Sequence, residues 1–192
     1  MADFKQAYQA IVIGSSAGGL HALSSIFELL PADYPIPIMV VQHRSKDHNA
    51  LLEEVLQAKC VIKIKQADEK EIISPGCVYI APPDYHLLVE DNKTFSLSSD
   101  PPVHYSRPSV DVLFESAAQV YKKQLIGIVL TGANSDGAEG IIEIRKNGGV
   151  TIAQSLLDAD FVYMPRAAIQ TLQVVHVWTL KEISSYLLNL IR

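Results

Sequence analysis

The sequence predicts an α/β fold: a doubly wound, mostly parallel sheet with helices on both faces. Three observations carry that expectation. Apolar runs of strand length alternate with amphipathic stretches of helix length along most of the 192 residues, the pattern of helices crossing between parallel strands. The runs Ile11-Val12-Ile13, 36–41 ("IPIMVV") and 125–130 ("LIGIVL") lack polar alternation, as strands covered on both faces do. The small-residue stretch Gly14-Ser15-Ser16-Ala17-Gly18-Gly19 joins the first of these strands to the first helical pattern.

The elements follow in order. After the strand at 11–13, Leu20, Leu23, Ile26, Phe27 and Leu30 recur at helical spacing over 19–30. A strand at 36–41 leads to a helix at 49–57, with Leu51, Leu52, Val55 and Leu56 on one side, then a short strand at 61–64. Strand-like runs at 78–81, 86–90 and 94–97 are separated by Pro82-Pro83-Asp84 and Asp91-Asn92. They predict an antiparallel hairpin or meander inserted around residues 77–98. A Pro-rich surface loop follows at 98–107. The alternation resumes with a helix at 110–121, entered through Pro108-Ser109. Further strands are expected at 125–130, 149–153 and 174–178, and further helices at 136–146, 165–170 and 179–190. One domain, residues 1–192, accounts for the whole pattern.

Composition narrows the function. A net charge of −5 argues against a nucleic-acid partner, which favours a basic face. No apolar run approaches the roughly 20 residues of a membrane span, and residues 1–9 lack the apolar core of a signal peptide. Neither membrane insertion nor secretion is expected. Cys60 and Cys77 have no CxxC spacing and read as reduced thiols, at least one of them buried, in a cytoplasmic protein. His21, His48, His104 and His176 show no metal-ligand spacing. His86 is expected to serve packing or a loop hydrogen bond.

In doubly wound sheets ligands bind beyond the carboxyl ends of the strands. Those ends here carry Gly14-Ser15-Ser16, Gln42-His43-Arg44 and Thr131–Gly137 ("TGANSDG"). Ser16 is the centre of a G-x-S-x-G frame between strand and helix, the setting of a nucleophile elbow. A plain turn whose serine caps the helix is the alternative, and Ser15 is the other conceivable nucleophile. The spacing fits neither the dinucleotide fingerprint nor the P-loop, so nucleotide binding is disfavoured. His43 is either a polar strand end or the base that a serine hydroxyl requires. Asp136 is either an acid at the start of its own helix or the carboxylate that orients the histidine.

Together the segments "IVIGSSAGG", "VVQHRS", "VYIAPPDYHLLV", "RPSVDVLFESAA", "IGIVLTGANSDGAEGI", "GGVTIAQS" and "MPRAAI" resemble the catalytic domain of the chemotaxis protein-glutamate methylesterases, the CheB family. They occur in the family's order and span nearly the whole chain. The resemblance implies a nucleophilic Ser16, a base His43 and an orienting Asp136. It also implies hydrolysis of glutamyl γ-methyl esters on the helical region of methyl-accepting chemotaxis receptors, with deamidation of receptor glutamines in many members, and no metal or organic cofactor. Backbone N–H groups of Ala17 and of the Gly132–Ala133 region are expected to hold the oxyanion. Arg107 and Arg166 are expected either to meet receptor carboxylates or to form structural pairs, Arg107 with Asp111. The cleft should be shallow and open.

The chain departs from the family in three ways. The family commonly reads G-A-S-T-G-G where this chain has Gly14–Gly19, and T-G-M-G-x-D-G where it has Thr131–Gly137, so Ala133 replaces a methionine and Asn134 a glycine. Only ten residues precede Ile11, whereas typical members carry a receiver domain there; either a separate regulatory partner takes its place or the receiver belongs to a longer chain. The alternative to an active esterase is a catalytically weak or inactive binding or regulatory module of a chemosensory system.

Overall fold

Along β1 (Ala10–Ser15) successive side chains enter two different cores. Ala10 and Val12 join one apolar cluster, Ile11 and Ile13 the other. The strand's period of two thus accounts for an unbroken apolar run, because both faces are covered. The structure is a computed structural model that describes residues 8–44 and 52–191. The expected helix start at 49–51, His48 and the N-terminal reading of residues 1–7 lie outside the described residues.

The main sheet has seven parallel strands in the order β3-β4-β2-β1-β7-β8-β9. They are β1, β2 (Ile38–Gln42), β3 (Lys63–Gln66), β4 (Cys77–Ile80), β7 (Leu125–Val129), β8 (Val150–Gln154) and β9 (His176–Trp178). One face is covered by α1 (Gly19–Phe27), α2 (Leu52–Gln57) and α6 (Leu180–Asn189). The other is covered by α3 (Val110–Tyr121), α4 (Ala138–Lys146), α5 (Tyr163–Gln170) and the antiparallel hairpin of β5 (His86–Val89) and β6 (Phe95–Ser98). Strand order reverses at β1, so the ends of β2, β1 and β7 meet at a topological switch point.

The expected doubly wound sheet and its inserted hairpin are both present, with one refinement. Of the three strand-like runs in the middle, β4 pairs in parallel with β2 and β3, and only β5 and β6 form the antiparallel unit. Tyr79 explains the assignment: it lies on the hairpin side of the sheet and packs edge-on against Phe95, ring centroids 5.0 Å apart. Boundaries moved for local reasons. β2 starts after Pro37, which has no N–H to give the ladder but whose carbonyl accepts the Ile11 N–H at 3.0 Å. β3 starts at residue 63 because the Gln57 side chain binds the Cys60 and Ile62 carbonyls. Thr179 caps α6 in a capping box with Glu182. Cys60 and Cys77 are both free and buried.

Candidate active site

β1 ends at Ser15, and the chain turns into α1 through Gly18, whose φ of 78° suits glycine. At Gly19 a Cβ would collide with the Gln42 side-chain oxygen. The turn therefore needs both glycines, one for conformation and one for space. Gln42 clamps the rim: its amide nitrogen donates to the Ser16 carbonyl at 2.8 Å and to the His43 carbonyl at 2.9 Å. Its amide oxygen accepts the Ser15 hydroxyl at 2.7 Å. Ser15 is fully buried and committed to that bond. Ser16 lines the cleft, and among the described residues its hydroxyl has no hydrogen-bond partner.

His43 follows β2. Ser15 pairs with Gln42 in the β1–β2 register and accepts the His43 N–H at 3.0 Å, so residues 16 and 43 are neighbours across the rim. The His43 Nε2 lies 2.8 Å from Asp136 Oδ2, and its Nδ1 lies 3.0 Å from the Asn134 side-chain nitrogen. A proton on Nε2 satisfies the carboxylate and leaves Nδ1 as the acceptor.

Asp136 is fully buried. Its expected place at the start of its own helix is corrected by the structure: α4 begins at Ala138, and the carboxylate turns to the N-terminus of α3 instead. Oδ1 accepts the Ser109 hydroxyl at 2.8 Å and the Asp111 N–H at 2.9 Å, and Oδ2 accepts the Val110 N–H at 2.7 Å beside His43. Burial alone raises this carboxyl. The His43 bond and the N–H groups of Asp111 and Val110 outweigh it and hold the group below its ordinary value. Free N–H groups at a helix start make such a position favourable to an anion.

The N-terminus of α4 goes to Asp111, whose Oδ1 accepts the Gly137 and Gly140 N–H groups at 2.9 and 2.7 Å. Its Oδ2 is buried without a hydrogen bond and has His104 Nε2 at 3.4 Å. Burial first and the Asp136 charge second push the Asp111 carboxyl up.

Ser16, His43, Arg44, Asp84, Arg107 and Asn134 are among the residues lining a partly open cleft of about 400 Å³. The remaining expected site residues fare differently. The Ala17 and Ala133 N–H groups have no partner among the described residues. The Gly132 N–H is taken by the Phe161 carbonyl at 3.0 Å, so its expected use as an oxyanion donor is corrected. Gly132 serves by size: a Cβ there would approach Ser16 Cβ to 2.9 Å. Arg107 lines the cleft, but its structural partner is Asp84, at 2.6 and 3.0 Å, not Asp111. It also donates to the Ser99 and Asp100 carbonyls, tying down the Pro-rich loop. Arg166 is exposed on α5, apart from the residues that line the cleft. His86, expected to serve packing or a loop hydrogen bond, is buried; it accepts the Ser109 N–H at Nδ1 and binds the Pro101 carbonyl through Nε2.

Sequence reasoning missed the supports: Gln42, Ser109, Asp111 and the side-chain role of Asn134. A signal existed for two of them. Ser109 and Asp111 sit at the first turn of a well-marked helix, where side chains bind backbone N–H groups, but nothing in one sequence says whose helix an acid caps. Among the described residues no group of His, Cys, Asp and Glu is arranged to hold a metal ion.

A doubly wound sheet with a serine turn, a histidine and a buried aspartate at one rim belongs to the α/β enzymes of ester hydrolysis. Comparison with known proteins gives the family: residues 11–187 match the CheB methylesterase family model, and the chain belongs to that family. A relative from Leptospira interrogans is 49% identical over 183 residues, covering 95% of each chain. A protein-glutamate methylesterase/protein-glutamine glutaminase of Clostridium acetobutylicum is 35% identical over 96% of this chain, which spans 53% of that protein. The crystal structure of the Thermotoga maritima CheB methylesterase catalytic domain superposes with a TM-score of 0.91 at 34% identity, covering 95% of this chain and 98% of that one.

Proposed function

We propose that the protein hydrolyses glutamyl γ-methyl esters on the helical cytoplasmic region of methyl-accepting chemotaxis receptors, releasing methanol, with Ser16 as nucleophile. The observation that carries this reading is the pairing of His43 with the buried Asp136 at 2.8 Å, beside a Ser16 hydroxyl that has no partner among the described residues. The activity named for the relatives supports the substrate.

Ser16 Oγ attacks the ester carbonyl while His43 Nδ1 takes its proton. Asp136 holds the Nε2–H and stabilises the imidazolium. The Ala17 and Ala133 N–H groups face the developing oxyanion, a role that needs only backbone donors. His43 then returns the proton to the departing methoxide, which leaves as methanol. Water, activated by the same histidine, attacks the glutamyl-Ser16 ester and regenerates the serine. Replacing methoxide by ammonia gives glutamine deamidation on the same path, the second activity in the relatives' name. Arg44 and Arg107 line the cleft with each guanidinium paired to an acid, Arg44 to Glu53 at 2.9 Å and Arg107 to Asp84 at 2.6 Å.

The test is methanol release from a methylated receptor fragment by the wild type and by Ser16→Ala. Release by the wild type alone supports the reading. Equal release by both, or none by the folded wild type with its cognate receptor, overturns it.

A further inference from the structure

We infer that Asn134 is a positioning residue that guards the catalytic base: its side-chain amide occupies the His43 lone pair that must accept the Ser16 proton. The inference rests on the proposed Ser16–His43 chemistry and concerns its control.

His43 has two ring nitrogens, and both are engaged. Nε2 lies 2.8 Å from the Asp136 carboxylate, which can only accept, so the hydrogen bond between them puts the proton on Nε2. Nδ1 therefore offers one lone pair, and the Asn134 Nδ2 points at it from 3.0 Å. The orientation of that amide is fixed at its other end. Asn134 Oδ1 accepts the Asp136 N–H at 3.2 Å, a bond only the oxygen can make. Asn134 thus bridges the backbone of the triad acid to the ring of the triad base. The turn and the base share one small side chain.

The consequence is competition. Ser16 lies across the rim from His43 without a hydrogen bond to it, while the amide holds the acceptor. A single lone pair cannot take two hydrogens. The serine proton reaches Nδ1 only when the Asn134 amide swings off the ring, and after the transfer Nδ1–H and the amide N–H would be two donors facing each other. Each turnover thus requires the amide to leave the ring. The cleft beside it, which Asn134 itself lines, gives the amide room to move.

Two substitutions separate this role from a merely structural one. Asn134→Ala removes both bonds and frees Nδ1. Asn134→Asp keeps an oxygen for the Asp136 N–H but has no N–H to give, and sets a second carboxylate against the ring. Three readouts apply: labelling of Ser16 by a fluorophosphonate, kcat and KM for methanol release, and the 15N resonance of His43 Nδ1 in histidine-labelled protein. Thermal melts confirm that each variant is folded.

For Asn134→Ala the expected result is a rise in labelling rate and kcat of about two- to tenfold, the size of one neutral hydrogen bond, with KM unchanged. The Nδ1 resonance shifts, because the amide donor at its lone pair is gone. Asn134→Asp loses labelling by about tenfold or more. Unchanged or slower labelling in folded Asn134→Ala, or an unmoved Nδ1 resonance, overturns the inference. If Ser16 is never labelled, in wild type or variant, the proposed chemistry fails instead, and the nitrogen resonance still decides whether the amide holds the ring.

Discussion

Asp111 and Asp136 cap each other's helices. Asp136 Oδ1 accepts the Asp111 N–H at 2.9 Å, and Asp111 Oδ1 accepts the N–H of Gly137, the residue after Asp136, at 2.9 Å. Two helix N-termini are thereby each given an anion, and the two anions lie close together in a dry site. The arrangement splits their chemistry. Asp136 has four donors, His43 among them, and is held ionised; Asp111 has an oxygen with no hydrogen bond and is pushed toward its neutral form.

Asp111→Asn should therefore change stability in a pH-dependent way. A carboxyl raised on folding contributes stability that is fully present below its unfolded value and lost as pH rises through its folded value. For Asp111 that window runs from the ordinary carboxylate range up to about 7. An asparagine keeps an oxygen for the Gly137 and Gly140 N–H groups and cannot ionise. The melting temperature of Asp111→Asn minus that of the wild type should grow between pH 5 and pH 8. A difference independent of pH would refute the assignment.

Asp136→Asn should behave in the opposite sense. A carboxyl lowered on folding contributes stability above its unfolded value and loses it as pH falls through its folded value. The variant should melt lower than the wild type at pH 7, and the gap should close as pH falls below the ordinary carboxylate range. The amide no longer fixes the Nε2–H tautomer, and activity should fall by about a thousandfold or more. Melting curves at pH 3 and pH 7, with methanol release at pH 7, check both parts.

Gly19→Ala should disable the site without touching a reacting group. The added Cβ meets the Gln42 amide oxygen, which must move and drag the clamp on the Ser16 and His43 carbonyls with it. Overpacking of this kind costs about 1–3 kcal/mol, readable by urea unfolding. Ser16 labelling should slow by more than that loss of folded protein explains. Labelling at the wild-type rate would show that the clamp is dispensable.

The parallel sheet, the hairpin and the rim carrying Ser16, His43 and Asp136 were legible because each leaves a local trace: apolar runs, turn residues, and polar side chains directly after strands. The placement of β4 was not, since Val78–Ile80 reads the same in a meander as inside a parallel sheet, and only its long-range partners Val40 and Gln66 decide. The target of Asp136 was hidden for a related reason. Sequence shows an acid just before a helix, and the nearest helix is not the one it caps. Asn134 showed only as a departure from a glycine; its two hydrogen bonds to His43 and Asp136 depend on a ring placed by a strand some ninety positions away.

Because β1 is flanked by β2 on one side and β7 on the other, the three site residues belong to two halves of the chain that meet along the β1–β7 border, with the hairpin strand β5 against α3 and α1 against α6. The Pro-rich loop lies between those halves in sequence. Ser16 and His43 come from the first half, Asp136 and Asn134 from the second. Divided in that loop, neither fragment holds a complete site, and joining the two across the β1–β7 border would restore it. The enzyme's own turnover would then report that the halves had met, making this fold a natural reporter of fragment complementation.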